Sequence, residues 1–294
     1  MRSAERGPSS PRPSDADELQ QDTTVGRVHL TRWTTPVGRA VAGVVTGIGH
    51  RIGAHPALAL ILTVGIGAAS LMSFLVARVY DAVTERDGVA ALDLPILRAA
   101  QGLRSPGLDG TAATVAYVFG PIGMPIIAVS ALLILSLRRR SWTPALLVVA
   151  AGAGSLLMTV AGKDIIGRHR PLRIDAVPPF ETSPSFPSGH TLNAAVIAGI
   201  VGYLIWLRRR TVAAKVAAIV VPVLIAIGVG LTRVLLGAHW FTDVLAGWLL
   251  GAAWLALIIT AHRLYLTARQ RGAPERPPAA ALRTRPRADA PPAP

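Results

Sequence analysis

Residues 212–232 read VAAKVAAIVVPVLIAIGVGLT, an apolar run in which Lys215 is the only charged side chain. A helix needs about 20 predominantly apolar residues to cross the hydrocarbon core of a bilayer. This stretch is long enough and apolar enough to predict a transmembrane helix.

Comparable apolar runs occur along the chain, and their number predicts the fold. We place spans at 56–78, 111–137, 143–162, 191–207, 212–232 and 242–261. The 294-residue chain is 51% hydrophobic and 16% charged, which is too apolar and too weakly charged for an ordinary soluble domain. The sequence therefore predicts an all-α polytopic membrane protein, a bundle of six transmembrane helices.

The basic residues predict how the bundle is oriented. Arginines lie before the first predicted span, in the turns after the second and fourth spans (138–140 and 208–210), and after the sixth. In a six-span chain all four positions fall on one side, and the positive-inside rule makes that side cytoplasmic, together with both termini. The net charge of +14 is thus explained by topology and attraction to anionic lipid, and we expect no nucleic-acid partner.

Composition divides the chain into a membrane domain and two polar ends. We expect a disordered or interfacial cytoplasmic segment at 1–50, the six-span domain at 51–265 and a disordered Pro/Ala/Arg-rich tail at 266–294. A short helix is predicted between Leu92 and Leu103, inside the acidic outer loop 79–110. The chain has no cysteine, which excludes thiol catalysis, and its polar first ~25 residues do not resemble a cleavable signal peptide.

Two residues at the start of the sixth span form the first chemical cluster. His239 and Asp243 are four apart, so on a helix they would share a face, and the carboxylate could fix the imidazole tautomer. Arg233, six residues earlier, could bind an anion presented to that imidazole. Taken alone, the pair could equally anchor a helix end.

The second cluster, Pro187-Ser188-Gly189-His190, directly precedes the fourth span. Free backbone N–H groups at a helix start make an anion site, to which Ser188 adds a hydroxyl and Gly189 a close backbone approach. His190 is a second imidazole. Taken alone, the cluster could be a serine N-cap with an incidental histidine.

The third cluster consists of cations at the outer end of the third span. Lys163 ends the span, and Arg170 precedes Pro171. Snorkelling to the headgroups would explain any one cation, but several on the side where few are expected indicate an anionic ligand. We assign the neighbouring Arg168 and Arg173 mainly to loop electrostatics.

Together the three clusters, Lys163–Pro171, Pro187–His190 and Arg233–Asp243, resemble the three-part signature of the type 2 phosphatidic acid phosphatase (PAP2) family, which is related to vanadium haloperoxidases. The resemblance covers about residues 56–262. One position departs from it, because Thr232 stands where the family usually has serine, and the hydroxyl is retained.

The resemblance implies a role for each matching residue. His239 would be the nucleophile that forms a phosphohistidine, Asp243 would orient it, and His190 would be the general acid. Five residues would cradle the phosphoryl oxygens: Lys163, Arg170, Ser188, Gly189 and Arg233. No acidic cluster suited to Mg²⁺ accompanies them, so we expect no metal and no cofactor.

Three functions stay open from the sequence. The first is an outer-face lipid phosphate phosphatase acting on an undecaprenyl-type diphosphate, which family grounds favour, or on phosphatidylglycerol phosphate or phosphatidic acid. The second is a lipid phosphotransferase or a vanadate-dependent peroxidase on the same fold. The third is a lipid-phosphate binder or transporter without turnover.

Overall fold

The computed structural model describes residues 88–272, the pairs 24–25 and 28–29, and the single residues Arg39 and Ser70. Strands β1 (Thr24–Val25) and β2 (Val28–His29) pair antiparallel. Within 88–272 the helices are α1 (Asp93–Gly102), α2 (Pro106–Val118), α3 (Gly123–Arg139), α4 (Thr143–Ile166), α5 (Gly189–Trp206), α6 (Val212–Leu235) and α7 (Phe241–Gly272). Short 3₁₀ turns occur at Gly88–Leu92 and Arg173–Asp175.

Four of these helices, α4 to α7, are each long and apolar enough to cross a membrane. The pair α2 and α3 adds a fifth span if its two helices are taken together. The chain is thus a helical membrane protein, with four to five spans in the described part. Except for Ser70, the span predicted at 56–78 lies outside the described residues, as do the remainder of the 1–50 segment and the tail beyond Gly272.

The span predicted over 111–137 consists of two helices, so the prediction of one continuous helix there is wrong. Helices α2 and α3 meet at a 55° bend across residues 119–122. Pro121 lacks a backbone N–H and disfavours helical geometry in Gly120 before it, which ends α2 at this point. The bend lets α2 pack across α6 while α3 contacts α4 and α5.

Helix α5 is the centre of the bundle and contacts α4, α6 and α7. Leu192, Val196, Ile200 and Leu204 are all fully buried and recur every four residues, so they form one stripe along the helix. Close approach between helices depends on small residues, as expected in lipid. At Gly154, for example, an added methyl would lie 2.1 Å from the ring of Trp254.

The directions of the helices bring the three motif clusters to one end of the bundle. Helices α4 and α6 end there, and α5 and α7 begin there, whereas the arginine-rich segments 138–140 and 208–210 lie at the opposite end. Helix α1 confirms the short helix predicted between Leu92 and Leu103, and it buries Asp93 and Leu97. Helix α7 reaches Gly272, past the predicted domain end at 265, and its 32 residues span about 48 Å.

Candidate active site

His239 lies in a tight turn that links α6 to α7. Gly237 in this turn has φ +66°, and a side chain there would meet the carbonyl of Asp175 at 2.4 Å, so glycine is required. His239 Nδ1 lies 3.4 Å from Asp243 Oδ2. The pair forms as predicted, but not along one helix face, because His239 precedes the first residue of α7.

Asp243 is held by several hydrogen-bond donors at the start of α7. It is fully buried, and its Oδ2 accepts the backbone N–H of Trp240 at 2.9 Å and the hydroxyl of Ser185. A carboxylate in the first helical turn that reaches back to the preceding N–H is a capping interaction, and the helix dipole favours its charge. The imidazole of His239 is therefore positioned by a carboxylate that is itself fixed.

Arg168 is part of this support, which corrects its assignment to loop electrostatics. Its guanidinium donates to Asp243 Oδ1 at 2.6 Å and to Asp93 Oδ2 at 2.7 Å, so it joins α7 to α1. Asp93 also accepts the backbone N–H and the hydroxyl of Thr242. Burial opposes the charge of Arg168, but the two carboxylates outweigh burial and raise its pKa.

The contact between Arg170 and His239 identifies which imidazole nitrogen is unprotonated. Arg170 Nη1 lies 3.1 Å from His239 Nε2. A guanidinium can only donate, so Nε2 is the unprotonated nitrogen and Nδ1–H faces Asp243. Burial lowers the pKa of His239 to about 4, against the opposing effect of Asp243, so the imidazole is neutral near pH 7. Burial also lowers the pKa of Arg170.

Arg233 reaches the same place from the end of α6. Its side chain is fully buried, and its Nη2 is paired with Glu181 Oε1. Its Nε and Nη1 have no hydrogen-bond partner among the described residues. Unpaired donors on a buried charged group are costly, so these two nitrogens are hydrogen-bond donors that an anionic oxygen could satisfy.

His190 faces the pocket from the first turn of α5. Its Nε2 lies 3.2 Å from the carbonyl of Ala116, which can only accept, so Nε2 carries a proton. Its Nδ1 points towards Glu181 Oε1 at 3.5 Å. The two imidazoles therefore approach one carboxylate from different sides, with His239 Nε2 lying 3.9 Å from Glu181 Oε2.

The remaining predicted residues are close by but differ in what they contact. Lys163 Nζ donates to Ser183 Oγ at 2.9 Å and to the carbonyl of Pro184, so it holds the loop that carries Glu181. Ser188 Oγ lies 2.9 Å from Thr191 Oγ1, on its own helix turn. A methyl at Gly189 would lie 2.9 Å from Thr159 Cγ2, so glycine lets α5 approach α4 closely.

Glu181 is the main residue that sequence reasoning missed. Its carboxylate is paired with Arg170 at 2.7 Å and with Arg233, between the two imidazoles. Burial opposes its charge, but His239, which is protonated at the low pH where Glu181 titrates, outweighs burial together with Arg233 and Arg170 and lowers the pKa of Glu181 to about 2. One signal was readable: Glu181 is the only acidic residue between Asp175 and Asp243.

The assembled groups are suited to holding an anion beside a neutral imidazole nitrogen. No group of three or more histidine and carboxylate side chains within the described residues could hold a metal ion. Two guanidinium groups converge on one carboxylate, and a second imidazole faces it. A phosphoryl group has the charge and oxygen acceptors to bind there.

Comparison with known proteins agrees with this geometry. The model of the PAP2 superfamily matches residues 142–265. The chain is 30% identical over 184 residues to phosphatidylglycerophosphatase B of Bacillus subtilis (strain 168). The aligned region covers 60% of this chain and 87% of that protein. The chain is also 29% identical over 162 residues to a decaprenylphosphoryl-5-phosphoribose phosphatase of Mycobacterium tuberculosis, and that alignment covers 52% of this chain and 80% of that protein.

A solved structure has the same fold. The crystal structure of a transmembrane PAP2-type phosphatidylglycerolphosphate phosphatase from Bacillus subtilis superposes with a TM-score of 0.57 at 28% identity. The match covers 66% of this chain and 93% of that one.

Proposed function

The chain belongs to the PAP2 superfamily and is a membrane phosphatase, and from this premise we propose that it removes a phosphoryl group from a membrane lipid through a phosphohistidine at His239. The observation that carries the proposal is the contact between Arg170 and His239. It marks Nε2 as the nitrogen that carries the lone pair, which accepts from Arg170 until a phosphoryl group takes over that guanidinium, while Asp243 holds the opposite nitrogen.

The first step is attack of His239 Nε2 on phosphorus. A P–N bond forms, the bond from phosphorus to the ester or diphosphate bridging oxygen breaks, and Asp243 stabilises the imidazolium that develops. A nucleophilic imidazole has to be unprotonated at the working pH, and the lowered pKa of His239 keeps it so.

The negative charge of a bound phosphoryl group stabilises the doubly protonated form of His190, which supplies the proton for the leaving oxygen from Nδ1 and becomes neutral. Its Nδ1 faces the pocket, while its Nε2 is held by the carbonyl of Ala116. In the second step His190 accepts a proton from water, the water oxygen attacks the phosphohistidine, and the P–N bond breaks. Inorganic phosphate leaves, and both histidines return to their starting states.

Cations bind the phosphoryl oxygens in both steps. Arg170 and Arg233 are placed to contact them directly, and Lys163 adds positive charge and holds the loop. A preorganised donor aimed at developing charge contributes roughly 3–4 kcal/mol to the transition state. Ser188 and Gly189 act at the α5 N-terminus, with the Gly189 N–H as the donor, although the Ser188 hydroxyl is bonded to Thr191.

The reaction takes place on the extracytoplasmic side. The site lies at the end of the bundle opposite to the arginine-rich segments, and the positive-inside rule favours a cytoplasmic location for those segments. With the span predicted at 56–78 the chain crosses six times, and both termini are cytoplasmic. The membrane domain then extends over 51–265, between polar segments 1–50 and 266–294.

The substrate is a lipid with a terminal phosphate or diphosphate. The similar proteins are named as phosphatases of phosphatidylglycerophosphate and of a decaprenyl-linked phosphoribose. Phosphatidylglycerol phosphate, an undecaprenyl-type diphosphate and phosphatidic acid all carry the group that this pocket is built to bind.

The test is phosphate release from these three lipids by the purified full-length protein in detergent. Free phosphate and phosphorylated acceptor are measured in one assay, which separates hydrolysis from transfer. We expect release by the wild type and a loss of about a thousandfold or more in His239→Asn. A His239→Asn protein that turns over at the wild-type rate would refute the proposed mechanism.

A further inference from the structure

Glu181 occupies the point on which the charged groups of the site converge. Its Oε2 accepts from Arg170 at 2.7 Å, and its Oε1 accepts from Arg233. His190 Nδ1 is 3.5 Å from Oε1, and His239 Nε2 is 3.9 Å from Oε2. Glu181 is also accessible from outside, because its side chain is 23% exposed.

A lipid phosphate has to take this same place. A nucleophile must lie about 3–3.5 Å from the atom it attacks, and the nearest carboxylate oxygen is now only slightly farther from His239 Nε2. Two oxygens on two guanidinium groups are also the contacts that a phosphoryl group would make. The carboxylate and a reacting phosphoryl group therefore exclude one another.

We propose that Glu181 is a specificity-determining residue, an internal anion that competes with external anions for Arg170 and Arg233 and yields only to a terminal phosphate or diphosphate. This inference rests on the proposed function. The phosphodiester of an ordinary phospholipid carries one negative charge, so it would replace one monoanion with another and gain no charge complementarity. A phosphomonoester dianion gains both charge and oxygen acceptors.

The unused donors of Arg233 explain why a phosphoryl group wins this competition. Glu181 pairs with Nη2 of Arg233, while Nε and Nη1 have no partner among the described residues. A carboxylate has two oxygens and both are already engaged. A terminal phosphoryl group has three, so it can satisfy donors that Glu181 leaves unpaired.

The fold also gives Glu181 a way to leave. It lies in the irregular loop between Asp175 and Ser188, outside any helix, and it is partly exposed. Lys163 and Arg170 hold this loop at Ser183 and Pro184. The side chain can therefore swing outward while the loop stays attached to the site.

The test is binding of inorganic phosphate, and separately of vanadate, to the full-length protein in detergent by calorimetry. Glu181→Gln keeps the shape and removes the charge, and we expect it to bind both anions about tenfold or more tightly than the wild type. Phosphatidylglycerol vesicles should also inhibit lipid phosphate release by Glu181→Gln at a lower lipid concentration than they inhibit the wild type. Asp175→Asn, which removes a charge from the same loop, should bind phosphate as the wild type does.

Unchanged or weaker phosphate binding by Glu181→Gln would overturn the inference. Glu181→Asp is the second variant, in case the first does not fold. Its carboxylate is one methylene closer to the backbone, and we expect it to bind phosphate with an affinity between those of the wild type and Glu181→Gln. Phosphate binding equal to or weaker than that of the wild type would also overturn the inference. A wild type that hydrolyses no lipid phosphate would instead refute the proposed function. Anion binding therefore tests the role of Glu181, and turnover tests the proposed function.

Discussion

Arg168→Met tests whether the charge network behind His239 supports both stability and catalysis. Arg168 pairs with Asp243 at 2.6 Å and with Asp93 at 2.7 Å, and the exposed fractions of these side chains are 13%, 0% and 7%. Methionine keeps much of the side-chain length but leaves two buried carboxylates without their cation. Removing one partner of a buried ion pair costs about 3–5 kcal/mol.

The lower end of that range applies here, because Asp243 keeps its bonds from Trp240 and Ser185. We therefore expect Arg168→Met to lower the free energy of unfolding by about 3 kcal/mol. Since Asp243 positions His239, we also expect a loss of kcat of about a hundredfold, the cost of misplacing a reacting group by about 1 Å.

The assay is denaturant unfolding in detergent together with lipid phosphate release. Arg173→Met is the matched control, because Arg173 lies in the same loop and stacks on Phe180 at 4.5 Å from the ring centre. It should remain close to the wild type in both measurements. An Arg168→Met protein with wild-type stability and kcat would refute the supporting role of the network.

Three further results are expected. Because burial lowers the pKa of His239 to about 4, the nucleophile is unprotonated above that pH. The acidic limb of kcat/KM, corrected for the second ionisation of the lipid phosphate, should therefore lie near pH 4; an acidic limb near pH 6.5 would contradict this. Gly154→Ala should destabilise the bundle by about 1–3 kcal/mol, because the new methyl would overlap Trp254, whereas Gly228→Ala has open space and should be tolerated; equal stability of the two variants would count against the packing. A chelator should leave phosphate release unchanged, and loss of turnover that added Mg²⁺ restores would show that a metal takes part.

The sequence predicted the features that depend on short-range patterns, namely the apolar helices and the motifs at their ends. The apolar runs predicted helices α4 to α7, and the motif spacings brought His239, His190 and Arg170 to one site. Both depend on the regular rise of helices and on alternate crossing of the bilayer, so the positions of the motifs at span ends could be read from the chain.

What the sequence could not provide were contacts between distant loops. Arg168 contacts Asp243, which is 75 residues later in the chain, and Asp93, which is 75 residues earlier. Nothing in the sequence around Arg168 identifies these partners. Glu181 meets Arg233 across 52 residues. These contacts depend on how the loops at this end of the bundle fold over the helix ends. The break at Gly120–Pro121, in contrast, was readable from the backbone restrictions of proline.

The stereochemical course at phosphorus tests the central claim most directly. A lipid phosphate made chiral with three oxygen isotopes is cleaved in the presence of an alcohol acceptor, and the configuration of the phosphorylated alcohol is determined. Attack by His239 followed by attack of the acceptor gives two in-line displacements, each with inversion. The account predicts net retention, and net inversion would contradict it, because that outcome requires direct attack on the lipid without a phosphohistidine.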